Sequence, residues 1–147
     1  MAEATKTRSQ LTVAGIKLYA AVGVGGALGA LLREAVEQLI PVTLGFPFAT
    51  LFINWSGSLL LAWFYTISIR KWRLPVWLRT GVGTGIVGAY TTFSTFSVET
   101  DKLLGSGRVG EAILYVALSL FGGFALALLG VRLGGEKPER QVQGAER

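Results

Sequence analysis

The sequence predicts an all-α integral membrane protein of four transmembrane helices, the third broken near its middle. Three observations carry this. Four apolar stretches approach or exceed the roughly 20 mostly apolar residues that a bilayer crossing needs. Charge is sparse within them and collects in loops and at the two ends of the chain. The third stretch contains GIVGAYTTFSTFSVE, Gly85 to Glu99, in which glycines give way to hydroxyls and rings. In a membrane such a run is costly unless it lines something.

The 147 residues suit one domain. A polar tail, 1–11, precedes a transmembrane domain, 12–133, and a second polar tail, 134–147, follows it. The first span is expected over about 12–32, with Lys17 near its start and Arg33 at its end, both able to snorkel to the interface. Gly23, Gly26 and Gly29 recur every three residues, and Gly25 and Gly29 form a GxxxG. Small residues let helices approach closely in lipid, so these glycines read as a packing face. The second span is expected over 47–69, the third over 75–98 with Arg79 in its first turns, and the fourth over 112–131. Trp72 and Trp77 flank the second loop, as an aromatic belt would.

Four spans put both ends and the second loop on one side. That side would hold 11 of the 14 Lys and Arg residues and the other side three, Arg33, Lys102 and Arg108. The positive-inside rule then places the termini in the cytoplasm. The net charge of +5 thus reads as membrane orientation, with no basic-aromatic interleaving that would suggest nucleic acid.

Polar residues inside the spans are few and neutral. Thr50, Asn54 and Ser58 lie at i, i+4 and i+8, one stripe about 12 Å long on the second helix. Either they line a path or they bond between helices to fix packing. Tyr115 and Ser119 lie at i and i+4 on the fourth helix, with Gly122 and Gly123 one turn later, and packing is the simpler reading there. In the third span, glycine and β-branched threonine favour a local unwinding near Gly88 to Thr92. Exposed carbonyls there suit a cation, and N–H groups an anion. Phe93 and Phe96 share a face, and their positive ring edges can meet an anion.

The absences narrow the function. Without Cys or His the chain has no disulfide and loses most zinc, haem and iron–sulfur options, along with the common general base. No nucleophile–base pair is visible, so an enzyme is not expected. No Asp or Glu lies deep in a span; Glu34, Glu99 and Glu111 fall near ends. That weighs against a proton-coupled small transporter, which needs a buried carboxylate. A structural membrane subunit, with polar stripes serving only packing, stays open. Hydroxyls, an amide and ring edges suit a small anion that is bound without being trapped by a fixed charge.

The pieces GGALGALLR, TLFINWSGSLL and GIVGAYTTFSTFSVE, with the Tyr115–Ser119 spacing, resemble the Fluc (CrcB) fluoride channels over nearly all of 23–131. The resemblance implies a passive fluoride channel that protects a prokaryotic cytoplasm, in the inner membrane. It implies an antiparallel, dual-topology dimer with two pores, the partner being a second copy or an oppositely inserted paralogue. Phe93 and Phe96 would contact fluoride, with Asn54 as the pore amide and Ser94, Thr95, Thr50, Ser119 and Tyr115 along the track. Arg33 would be the vestibule arginine, and Glu99 matches the acid after the motif. A structural sodium ion is implied at the dimer centre, on backbone carbonyls at Gly88 and Thr91. The loop-charge bias departs from the simplest form of that picture, because dual insertion is easiest with little bias.

Overall fold

A computed structural model describes residues 2–40 and 45–135, with side chains placed from residue 13 onward. The C-terminal tail beyond Gly135 lies outside the described residues. All regular structure described is helical. Helix α1, Ala2–Leu39, is 38 residues long, so the polar segment expected as an N-terminal tail continues the first span as helix from Ala2. Helix α2 is Phe48–Arg70. Helix α3 covers 76–90, α4 is Phe93–Gly105, and α5 is Val109–Gly135.

Helices α1, α2 and α5 contain stretches long and apolar enough to cross a membrane. The segment expected as the third span is divided between α3 and α4, and neither half has that length. Most apolar side chains face outward: only 11% of the apolar window in α5 is buried. Leu120, Phe121 and Phe124 stand on its exposed face. That is the outside of a membrane protein, where lipid and not water receives the apolar surface.

Packing joins α1 to α3 and α2 to α5. Small residues make the first pairing. A Cβ at Gly25 would lie 2.3 Å from the Gly81 carbonyl oxygen, and one at Gly29 would lie 2.1 Å from that of Ile86. Gly25 and Gly29 therefore form a backbone-to-backbone seam, whereas a Cβ at Gly23 or Gly26 would meet nothing within 4 Å, so the expected packing face narrows to the GxxxG pair. The glycine run of the third span, Gly81–Val87, widens into π-helical turns, with the Gly88 N–H reaching back to the Gly83 carbonyl. A compact core of Phe46, Leu51, Leu103, Ala112 and Tyr115 sits where α2, α4 and the start of α5 meet. Phe96, Trp55 and Leu118 pack against it.

Candidate functional site

The third helix stays helical, π-helical turns included, past Gly88, whose φ −64° and ψ −36° are helical. It breaks at Thr91 and Thr92, where ψ turns to 155° and 121°. The unwinding expected from Gly88 onward is thus confined to the two threonines, because the glycines are absorbed in α-helical and π-helical turns that pack on α1.

Asn54 closes the break. Its Nδ2 donates to the Thr92 carbonyl at 3.0 Å, and its Oδ1 accepts from the Thr92 N–H at 2.9 Å. The side-chain amide replaces the neighbouring backbone that Thr92 lost. It keeps one N–H for another acceptor. Thr92, 5% exposed, then caps α4: its Oγ1 accepts from the Thr95 N–H at 3.1 Å. The Thr92 hydroxyl donates to Thr95 Oγ1 at 2.9 Å, which leaves the Thr95 proton for another acceptor. Ser94 Oγ lies 3.3 Å from Thr92 Oγ1. Gly57 of α2 permits the close fit, since a Cβ there would lie 2.2 Å from Thr91 Cγ2. Ser58, the third member of the expected stripe, bonds back to the Asn54 carbonyl at 2.8 Å.

Rings and a carboxylate follow along one face of α4. Phe93 and Phe96 have ring centroids 5.8 Å apart, and Phe96 lies 5.1 Å from Tyr115. Phe93 is 80% exposed, so it stands on the outside of a single chain. One turn beyond Phe96, Glu99 accepts from Thr50 Oγ1 at 2.9 Å and from the Tyr115 hydroxyl at 2.8 Å. Thr50 and Tyr115 are both fully buried. This corrects the expectation that Glu99 lies only at a span end: two buried hydroxyls draw its carboxylate inward. It also means that the Thr50 and Tyr115 protons are engaged by Glu99 in this structure.

Ser119 sits in a π-helical turn, Leu118–Gly122, and its Oγ is buried without a partner. Among the described residues it does not make the bond back to its own helix that a helical serine commonly makes. Sequence reasoning missed Trp55, whose Nε1 donates to the Leu118 carbonyl at 2.9 Å across α2 and α5. Gly122 makes room for its ring: a Cβ there would lie 2.5 Å from the indole. The clue available in the sequence was a polar-tipped aromatic next to Asn54. Arg33 is well apart from these groups in the chain, on α1, with its Nε 3.9 Å from Glu37 Oε1.

Two cavities touch this face. One of about 260 Å³ is lined by Asn54, Gly57, Ser58, Leu61, Thr91, Thr92 and Phe93, with no charged group. The other, about 310 Å³, is lined by Gly45, Pro47, Glu99, Lys102, Leu103, Ser106 and Arg108. Arg108 forks onto Glu111 and donates Nη1 to the Gly45 carbonyl at 3.1 Å. Its hydrogen bond to Glu111 holds the guanidinium pKa above its ordinary value. From Phe93 to Glu99 the helix rises about 9 Å. Phe93 lines the uncharged cavity and Glu99 the charged one, with Phe96 between them along α4.

A family model described as CrcB-like protein, Camphor Resistance (CrcB), matches residues 20–131. The chain belongs to the CrcB family. The match runs from α1 through the break into α5, so the CrcB region contains every group described above. The CrcB chain is 48% identical over 126 residues to a Geobacillus kaustophilus protein named Fluoride-specific ion channel FluC 2, across 84% of this chain and 96% of that one. A Thermus thermophilus protein named Fluoride-specific ion channel FluC is 44% identical over 123 residues, across 82% of this chain and 96% of that one. A Bacillus cereus protein named Fluoride-specific ion channel FluC 1 is 44% identical over 121 residues, across 80% and 87%. The relatives of this CrcB chain are thus named as channels and not as enzymes.

Proposed function

We propose that this chain is a passive fluoride channel of a prokaryotic inner membrane, working as an antiparallel dimer with two pores. The observation that carries the proposal is the ring stripe of Phe93, Phe96 and Tyr115 between an uncharged cavity and a charged one. The relatives' names supply the anion.

The chemistry follows from which donors are unengaged. Thr95 and Ser119 hydroxyls and the second Asn54 N–H offer neutral hydrogen bonds to an anion. Ring edges of Phe93 and Phe96 add positive quadrupole without a fixed charge. Neutral donors replace part of the ion's hydration and still release it, as conduction requires. Thr50, Tyr115 and Ser94 complete the track, with Glu99 holding the first two in place.

A dimer is supported by exposure. The cavity at the break opens on the surface of one chain beside the exposed Phe93, and lipid cannot hydrogen-bond to the polar groups of Asn54, Thr91 and Thr92 that line it. A second copy, inserted the other way, would cover them. The Thr92 N–H, diverted to Asn54, no longer serves the Gly88 carbonyl, which keeps the Thr91 hydroxyl at 3.4 Å. Neutral carbonyls short of donors fit a sodium ion, and Gly88 and Thr91 would hold it. Such an ion would supply a fixed positive charge that ties two broken helices together.

The deciding experiment is fluoride efflux from liposomes containing the purified chain alone, with the membrane potential held at zero. Rapid efflux is expected. A folded dimer that passes no fluoride would overturn the reading, and uphill movement driven by a pH gradient would replace it with a proton-coupled transporter. Efflux only with a second, different chain would establish the paralogue form. In the same assay Arg33→Gln is expected to lower flux modestly at low salt and hardly at all at high salt, because a vestibule charge is screened. Its pairing with Glu37 already limits the field it exerts. Complete, salt-independent loss would mean that Arg33 holds the fold.

A further inference from the structure

On the N-terminal side of Arg33, a groove of about 580 Å³ runs between the turns of α1 at 13–18 and the start of α3. Val13, Ala14, Leu18, Val76 and Trp77 wall it, and Lys17 is the charged residue on its lining. Helix α3 begins at this end of the bundle and α2 finishes there, while α1 continues past the groove to Ala2, which brings Arg70, Lys71, Arg73 and Arg79 to the same end. None of these five cations is in an ion pair among the described residues. The stretch that supplies four of the five, from Gly45 to Glu99, carries no Asp or Glu between those two residues. Trp72 and Trp77 are 51% and 41% exposed, the placement of rings at a headgroup boundary.

We propose that this groove binds one anionic phospholipid, with an acyl chain along Val13, Leu18, Val76 and Trp77 and the phosphate at Lys17. The volume falls within the roughly 300–1,000 Å³ of small-molecule sites. An apolar wall between two membrane helices takes hydrocarbon, and an unpaired ammonium at its edge takes the phosphate. The neighbouring cations select against lipids whose headgroup carries a compensating positive charge. The inference rests on the membrane placement of the helices and not on the ion conducted.

The test uses Trp77 as the reporter, in the full chain held in phosphatidylcholine nanodiscs with a small fraction of brominated lipid. The Trp77 signal is the difference between the wild type and Trp77→Phe. Brominated phosphatidylglycerol is expected to quench it more strongly than the same fraction of brominated phosphatidylcholine. Lys17→Gln, at an exposed position, should abolish that excess. Arg33→Gln, about 24 Å along the same helix, should leave it intact. Equal quenching by the two lipids, or an excess that survives Lys17→Gln, would refute the site. Loss of the excess in Arg33→Gln would show a diffuse surface attraction instead, and would refute it as well.

Discussion

Asn54→Leu is expected to destabilise the protein severely and to abolish fluoride efflux together with it. The amide serves both backbone groups of Thr92, a residue that is nearly fully buried. Leucine has similar bulk and can make neither bond. A buried polar group left unmet costs about 1–3 kcal/mol, so the two together cost roughly 2–6 kcal/mol. Asn54→Asp separates the two contributions. A carboxylate still accepts from the Thr92 N–H but faces the Thr92 carbonyl with like charge. It should therefore destabilise less than leucine, while placing a fixed negative charge beside the path. Thermal melting followed by size-exclusion chromatography reads the first effect and liposome efflux the second. An Asn54→Leu protein that melts like the wild type would show that the break is held by something else.

The second large effect is expected at Phe96. Its ring lies between Phe93 and Tyr115 and also packs against the core. Phe96→Ile keeps most of the apolar bulk, and volume-conserving swaps of this kind usually cost less than about 1.5 kcal/mol. It removes the positive ring edge. Fluoride efflux should fall by orders of magnitude while melting shifts little. Normal efflux in a folded Phe96→Ile dimer would show that the rings only fill space. Equal losses of stability and flux would place Phe96 in the core and leave the contact with fluoride to other groups.

Much of this arrangement was legible along the chain. Three of the four expected spans fall on helices long and apolar enough to cross a membrane, and the packing role of Gly25 and Gly29 follows from their spacing. The Thr50–Asn54 stripe was visible at i and i+4, but whether it lined a path or bonded across helices was open. Asn54 does bond across, to Thr92, 38 residues away, and Ser58 simply bonds back. The position of the break was blurred, because glycine spacing does not distinguish an unwound segment from π-helical turns seated on α1. Trp55 was passed over because an indole near a polar residue has many uses in a membrane helix. Only α5 shows that it takes the Leu118 carbonyl.

Periodicity and composition are local properties, and they carried the local conclusions: an all-helical chain with apolar helices long enough to cross a membrane, neutral polar faces, an aromatic pair on one side of the third helix, and a family resemblance that the comparison with known proteins bears out. Tertiary packing decided the partners. Glu99 reads as an end-of-helix acid along the chain, yet it is clasped by Thr50, 49 residues away, and by Tyr115. Ser119 reads as an ordinary helix serine, yet its hydroxyl is buried with nothing to bond. The reason is physical. A side chain's residue type states what it can donate or accept, but only the approach of other helices determines which of those bonds are made and which are left for an ion.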